Sequence, residues 1–189
     1  NGTSIGLSSY YYFKDSLTKS AVLHLFDDWT ENFSTETTLS RSTFSQFRGG
    51  PDQQPQVQIR LNPDGTGPTI NMGEDQFSDY NVLDVKGWNA FFAGTYIIGD
   101  HSIKGGFDYA SSDIYNLFGR TQFGAYTFWG LDNFANGIYN TYNLYQPAPG
   151  LSIGDVAARW KYEQWGLFLQ DTWQVNDQLS VTYGMRVDM

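Results

Sequence analysis

The sequence predicts an all-β chain of long antiparallel strands running up and down, and three observations predict it. Apolar residues recur at every second position over stretches longer than ordinary globular strands. Tight turns alternate with long connections rich in Gly and Pro. Aromatic residues make up 17% of the 189 residues and charged residues only 16%, where ordinary soluble domains carry about 25% charged residues.

Taken along the chain, Ser4–Phe13 reads as a first strand. Ala21–Asp28 and Phe33–Phe47 read as a hairpin turning at Thr30-Glu31-Asn32. A second hairpin begins with Val85–Ile97, where Trp88, Ala90, Phe92, Tyr96 and the adjoining Ile98 share a face. It turns at Gly99-Asp100 and returns with Ile103, Gly105, Phe107 and Tyr109 against Ser102, Lys104, Gly106 and Asp108. Thr121–Trp129 reads as one more strand, and Ala135–Tyr139 as a helical turn.

The third hairpin is the clearest. In Ala158–Trp173, the residues Trp165, Leu167, Leu169 and Trp173 alternate with Gly166, Phe168, Gln170 and Thr172. Val175-Asn176-Asp177-Gln178 has tight-turn composition. Leu179, Val181, Tyr183, Met185 and Val187 then face one way, and Ser180, Thr182, Gly184, Arg186 and Asp188 the other. The total is about seven or eight strands.

The connections between hairpins, Arg48 to Asp84 and Ala110 to Ala157, are long. They hold Gly49-Gly50-Pro51, Asn62-Pro63-Asp64-Gly65, Gly67-Pro68 and Pro147-Ala148-Pro149-Gly150. Compact domains rarely carry long structureless loops. Short turns on one rim and long loops on the other are the habit of antiparallel up-and-down transmembrane β-barrels. Strand length agrees, since a tilted membrane strand needs about 9–11 residues. Trp29, Phe33 and Trp173 stand beside turns, as interfacial aromatic girdles would. A soluble β-sandwich that binds carbohydrate has a similar composition, and exposure separates the two. The barrel leaves Leu179, Val181, Tyr183 and Val187 exposed with Arg186 on the opposite face, whereas the sandwich buries them.

Other classes are excluded. With no Cys there is no disulfide framework, thiol nucleophile or Cys-ligated metal, and two histidines cannot make a three-His site. A net charge of −9 without a Lys/Arg cluster argues against nucleic acid. The longest uncharged run, Asn133–Gly154, holds 22 residues but is broken by Asn, Gly and Pro, so it is no membrane helix. No nucleophile motif is present, and Glu163 and Asp171 stand too far apart along a strand for glycoside hydrolysis. The chain is expected to be no enzyme and to use no cofactor and no metal.

The stretch WGLFLQDTWQVNDQLSVTYGMRVD, Trp165–Asp188, resembles TonB-dependent outer-membrane receptors through Phe168, Gln170, Asp171 and Trp173, then Tyr183, Gly184, Arg186 and Asp188. DHSIKGGFDY (Asp100–Tyr109), IYNLFG (Ile114–Gly119) and DDWTENFSTE (Asp27–Glu36) are similar to barrel segments of the Oar-like branch. Members of that branch often carry a carboxypeptidase-regulatory-like domain ahead of the plug. The resemblance implies a barrel of roughly 22 strands with a plugged lumen, of which this chain supplies about a third. Residues 1–189 are then part of one outer-membrane barrel domain, with the plug domain and barrel ends outside them. The implied role is capture of a substrate at the cell surface and its import with energy from TonB. The implied partners are outer-membrane lipid, the plug of the same parent chain, the TonB complex acting through that plug, and a small-molecule, glycan or peptide substrate of unknown identity. A plain porin-type channel is the same architecture without the plug.

Two groups are candidate site residues. Tyr126, Phe128, Trp129, Tyr139 and Tyr142, with Phe134 nearby, lie in a long outer loop where rings could stack on a sugar or peptide or simply on one another. Lys104, Asp108, Arg186 and Asp188 lie on polar strand faces and are expected to face the lumen, where an ion-pair ladder is the favoured reading and plug or solute contact the other. Asp64, Glu74, Asp75 and Asp79 are expected to form a solvated loop, Asp171 to be structural, and Gly105-Gly106 to mark close packing or a bulge.

Overall fold

Alternation of apolar and polar residues requires a strand whose two faces meet different surroundings, and the long alternating runs all become such strands. The computed structural model describes residues 3–50 and 53–189, so Pro51 of the predicted loop lies outside the described residues. In chain order the strands are β1 (Ser4–Gly6), β2 (Phe13–Thr30), β3 (Phe33–Gly49), β4 (Gln56–Arg60), β5 (Thr69–Met72), β6 (Tyr80–Ile98), β7 (His101–Gly119), β8 (Ala125–Trp129), β9 (Thr141–Asn143), β10 (Ala158–Asn176) and β11 (Leu179–Asp188). One short helix, α1 (Leu131–Ala135), precedes β9.

Six strands form one sheet in the order β11-β10-β7-β6-β3-β2. Each hairpin partner is a sheet neighbour, and β3–β6 and β7–β10 pair across the two long connections. This is an up-and-down meander. β6, β7 and β10 run 19 residues each, β2 18 and β3 17, well beyond the roughly 9–11 that cross a bilayer. Gly99 takes φ 55 at the two-residue turn between β6 and β7, a left-handed conformation that glycine adopts without steric cost.

The other five strands form a second sheet in the order β1-β5-β4-β8-β9. β4 pairs antiparallel with β5 and parallel with β8, so residues from both long connections join one sheet. The chain divides into two compact units. One holds residues 3–17 with Ser45–Asp84 and Tyr115–Arg159, and includes this smaller sheet. The other holds Thr18–Phe44, Val85–Ile114 and Trp160–Met189, and includes the three tight turns.

Several expectations need correction. Ser4–Phe13 is not one strand: β1 ends at Gly6, a single 3-10 turn follows at Ser8–Tyr10, and β2 starts at Phe13. The helical turn expected at Ala135–Tyr139 lies earlier, at Leu131–Ala135. Gly137 takes φ 70, which ends helical geometry there. The connections are shorter than expected, since β6 starts at Tyr80 and β7 runs to Gly119, and they are not structureless, because β4, β5 and β9 lie in them and bring the strands to eleven among the described residues. These three are too short for periodicity to stand out against Gly and Pro. The strand expected over Thr121–Trp129 is β8 and starts only at Ala125, because Thr121 takes φ 60. The acidic loop is not solvated throughout. Asp64 is exposed, but Glu74, Asp75 and Asp79 are only 3%, 5% and 7% exposed.

Candidate functional site

The register of β10 with β11 fixes two unlike faces. Phe168 pairs with Arg186, Gly166 with Asp188 and Gln170 with Gly184, which sets these residues on one face. From β11 the Arg186 guanidinium reaches Asp108 on β7, with Nη1 donating at 2.7 Å and Nη2 at 2.9 Å. Its Nε also donates to Asp188 at 2.9 and 3.0 Å. Gly166 lies beneath this bridge, and a Cβ there would collide with the Arg186 guanidinium and the Asp108 carboxylate. Lys104 donates to Glu36 at 3.0 Å and stands over the Phe91 ring. All four charges singled out by the sequence are therefore in ion pairs. The pairs are partly exposed, and such pairs stabilise by only about 0.2–1 kcal/mol each. Gly106 shares this face, and a Cβ there would run into the Phe92 carbonyl and the Ala93 backbone. That is the close packing expected of Gly105-Gly106.

The opposite face pairs Leu167 with Val187, Leu169 with Met185 and Trp173 with Val181. Tyr109 packs on Trp165 with ring centroids 4.3 Å apart, and His101 stacks on Trp173 at 5.6 Å. On β10 these ring pairs stand eight residues apart, or ~26 Å along a strand, which a tilt of about 35–45° turns into roughly 18–21 Å of depth, within the ~25 Å apolar band of membrane barrels. Leu179, Val181, Tyr183 and Val187 are 49%, 39%, 54% and 57% exposed, which excludes the sandwich. Asp171 lies on this apolar side. Its carboxylate accepts from the Tyr183 hydroxyl at 2.7 Å and meets His101 Nδ1 at 2.7 Å, while Gln170 faces the charged ladder. The role of Asp171 is thus cross-strand fastening, with two partners that sequence reading missed because they come from β7 and β11.

The smaller sheet carries the aromatic cluster. Tyr126 and Phe128 alternate onto one face of β8, beside Val57 and Ile59 of β4. Tyr142 of β9 pairs with Tyr126 and stacks on it at 4.4 Å. Tyr139 packs edge-on to Tyr126 at 5.7 Å, and Phe134 of α1 edge-on to Phe128 at 5.2 Å. Phe128 is buried, whereas Tyr139 and Tyr142 present exposed ring surface. Burial and the neighbouring Tyr142 and Tyr139 hydroxyls raise the Tyr126 phenol above its ordinary pKa. Trp129 does not join them. Alternation turns it to the other face, where its indole lies against Gly65. Four of the five predicted aromatics thus converge, partly as self-packing and partly as an open surface.

A network of buried polar groups orders the first long connection, and the sequence did not reveal it. Arg48 donates to Asp75 at 2.5 Å and to Ser78 at 2.9 Å, and Ser78 donates to Asp75 at 2.9 Å. Glu74 accepts from the backbone N–H groups of Gly50 and Gln53, both at 2.8 Å. Asp79 accepts from the Phe123 N–H at 3.0 Å, which ties the first connection to the second. Burial pushes the Asp79 carboxyl up to about 6, with the nearby Glu74 and Asp75 charges adding to the rise. Burial and Asp75 likewise raise Tyr10. A polar group buried without partners is costly, and these bonds are the reason the acids can be inside.

An up-and-down sheet of long strands, apolar on one exposed side and charge-laddered on the other, defines a membrane β-barrel wall. Residues 1–189 match the family model described as an outer membrane beta barrel domain. The chain belongs to that family and resides in the outer membrane. Comparison with curated proteins and with solved structures returned no match.

Proposed function

We propose that the chain is a wall segment of a TonB-dependent outer-membrane receptor of the Oar-like kind, which captures a substrate at the cell surface and imports it with energy from TonB. On this reading the Lys104, Asp108, Arg186 and Asp188 face lines a plugged lumen. The partners are membrane lipid, the plug of the parent chain and, through it, the TonB complex. The observation that carries the reading is the β4–β8 pairing, which fastens the two long connections into one ordered sheet bearing the exposed Tyr139 and Tyr142 rings. Ordered aromatic surface is what recognition of a sugar ring or peptide side chain requires. A passive channel needs no such surface. The strand pair β10–β11 adds support, because the Gln170, Asp171, Tyr183, Gly184 and Arg186 positions that carry the resemblance all have defined roles in cross-strand packing and bonding. The test uses the full-length protein. Cells should take up the substrate only with an intact TonB system, and proteoliposomes without it should be tight to small solutes. Free solute flux in proteoliposomes would instead make the protein a porin-type channel.

A further inference from the structure

We propose that Arg120 forms a carboxylate-binding subsite beside the aromatic surface of the smaller sheet, and that the substrate received there is an acidic oligosaccharide of the uronic-acid class. The subsite rests on the assignment of the exposed tyrosines to substrate recognition. Arg120 follows β7 and lines a groove of about 310 Å³ with Phe118, Gln122, Tyr145, Pro147 and Val156. Two contacts hold its guanidinium. Nε donates to Gln76 Oε1 at 3.1 Å, and Cζ lies 4.9 Å over the centre of the Phe77 ring. Phe77 in turn stacks on Phe118, with ring centroids 6.5 Å apart. The two terminal nitrogens make no hydrogen bond among the described residues.

The next residue fixes where this side chain stands. Thr121 is buried with φ 60, a left-handed conformation that is an outlier for a β-branched residue. Its N–H and its hydroxyl both donate to Gln76, at 2.9 and 3.2 Å, so the residue that grips Arg120 also holds the bend. Strain held in place by surrounding bonds gathers at binding sites. The Thr121 carbonyl accepts from the Gly124 N–H at 3.4 Å and from the Tyr145 N–H at 3.1 Å, which ties the chain beyond β9 to the bend. Tyr145 is exposed and three residues from Tyr142, so their Cα atoms are at most about 11 Å apart. The Tyr142 ring lies against Gly124, where a Cβ would meet it at 2.9 Å. The groove is thus continuous with the stacked tyrosines. Placement sets Arg120 apart from the other arginines of this unit. Arg48 is bound to Asp75, Arg60 donates to the Gly65 carbonyl and Arg159 lies over Tyr115, and none of them lines the groove.

The chemistry of this surface specifies the ligand. The guanidinium fork matches the two oxygens of a carboxylate. Between Asp132 and Asp155 no residue is charged. The segment that carries Tyr139, Tyr142 and Tyr145 therefore offers no carboxylate to the amino end or the basic side chains of a peptide. It offers side-chain amides instead. Asn140, Asn143 and Gln146 are exposed, and their amides make no hydrogen bond among the described residues. An amide both donates and accepts, as neighbouring sugar hydroxyls require, and tyrosine rings give sugar faces a flat partner. Rings on tyrosines, hydroxyls on amides and a carboxylate on Arg120 together describe an acidic saccharide. A neutral sugar makes the first two sets of contacts and leaves the Arg120 fork unused, so charge selects among saccharides.

The test presents the full-length protein in detergent to an array of uronic-acid oligosaccharides, the same oligosaccharides with their carboxyl groups reduced to alcohols, and short peptides with free C-termini. At least one acidic saccharide should bind at least about tenfold more tightly than its reduced counterpart, as expected for charge-assisted contacts. Arg120→Gln should lose that preference, Arg120→Lys should regain part of it, and Arg60→Gln should keep it. Failure of every acidic saccharide to bind, equal binding of the reduced forms, or an unchanged preference in Arg120→Gln would overturn the subsite. Arg120→Lys no better than Arg120→Gln would overturn the charge contact and leave Arg120 a structural role. Arg120-dependent binding of the peptides alone would overturn the saccharide as occupant. Binding in detergent needs no TonB, so the subsite and the receptor fail separately. Uptake of the bound saccharide by cells lacking TonB refutes the receptor and spares the subsite, and TonB-dependent uptake of a neutral substrate, unaffected by Arg120→Gln, refutes the subsite alone.

Discussion

Arg186 and Asp108 are joined by two hydrogen bonds across an intervening strand, and the bridge passes over Gly166. The glycine makes the contact possible, since any side chain at that position would occupy the space of the guanidinium. Gly166→Val should therefore break the bridge and lower stability by about 1–2 kcal/mol, combining steric crowding with loss of an exposed ion pair. Arg186→Gln should lower it by less than about 1 kcal/mol. Urea unfolding of the refolded protein in detergent measures both, and equal effects would contradict the steric role of Gly166.

The two faces of β10 should respond oppositely to charge. Leu169→Arg places a cation in the apolar stripe midway between Trp165 and Trp173 and should cost about 2–4 kcal/mol in a bilayer. Gln170→Arg, on the ladder face, should cost less than about 1 kcal/mol. Reversible folding into phosphatidylcholine vesicles reads the difference. Similar values for the two would show that the apolar stripe does not meet lipid.

Asp79 predicts a pH response of the smaller sheet. Its folded pKa, pushed to about 6, lies above the ordinary carboxylate value of 3.8. The folded state therefore binds more protons than the unfolded state between these values, and stability falls as pH rises through this window. Hydrogen exchange in β4 and β8 should be slower at pH 5 than the intrinsic rate change explains, and faster at pH 7.5. Asp79→Asn keeps an acceptor for the Phe123 N–H and should abolish this pH dependence, with greater protection than wild type at pH 7.5.

Phe128 is the buried member of the aromatic cluster, and Tyr139 and Tyr142 are its exposed members. Phe128→Ala should loosen the smaller sheet by about 3–5 kcal/mol, detected as proteolysis within 120–157. Tyr139→Ala should leave protease resistance near wild type and weaken substrate binding on cells at least about tenfold. Unchanged binding in Tyr139→Ala would remove the aromatic surface from recognition.

Gly99 has no neighbour that a Cβ would strike, and its φ of 55 alone restricts it. Gly99→Val should cost about 1 kcal/mol or more through backbone strain, whereas Gly99→Asn, which tolerates positive φ, should cost less. The ranking of the two by urea midpoint checks the conformational origin.

The long strands were legible because their information is local. A period of two over ten or more residues, stopped by Gly99-Asp100 or Asn176-Asp177, specifies a strand, its faces and its hairpin without reference to the rest of the chain. The charges on the polar faces were legible for the same reason. The short strands of the connections were not, because β4 and β5 have only 5 and 4 residues and owe their form to pairing with segments far away in sequence. Acidity alone suggested solvent for Glu74, Asp75 and Asp79. Their burial depends on partners such as Arg48, Gly50 and Phe123, which are distant in sequence.

By itself the sequence determined the class of fold, the two-sidedness of each long strand and the positions of the tight turns, since all of these follow from neighbours along the chain. Only the tertiary structure decided which charges pair, which aromatics form a surface, and which acids of the first long connection are buried. Those outcomes depend on the register and order of strands, and register is settled by side-chain packing and backbone hydrogen bonding between segments that the chain itself keeps far apart.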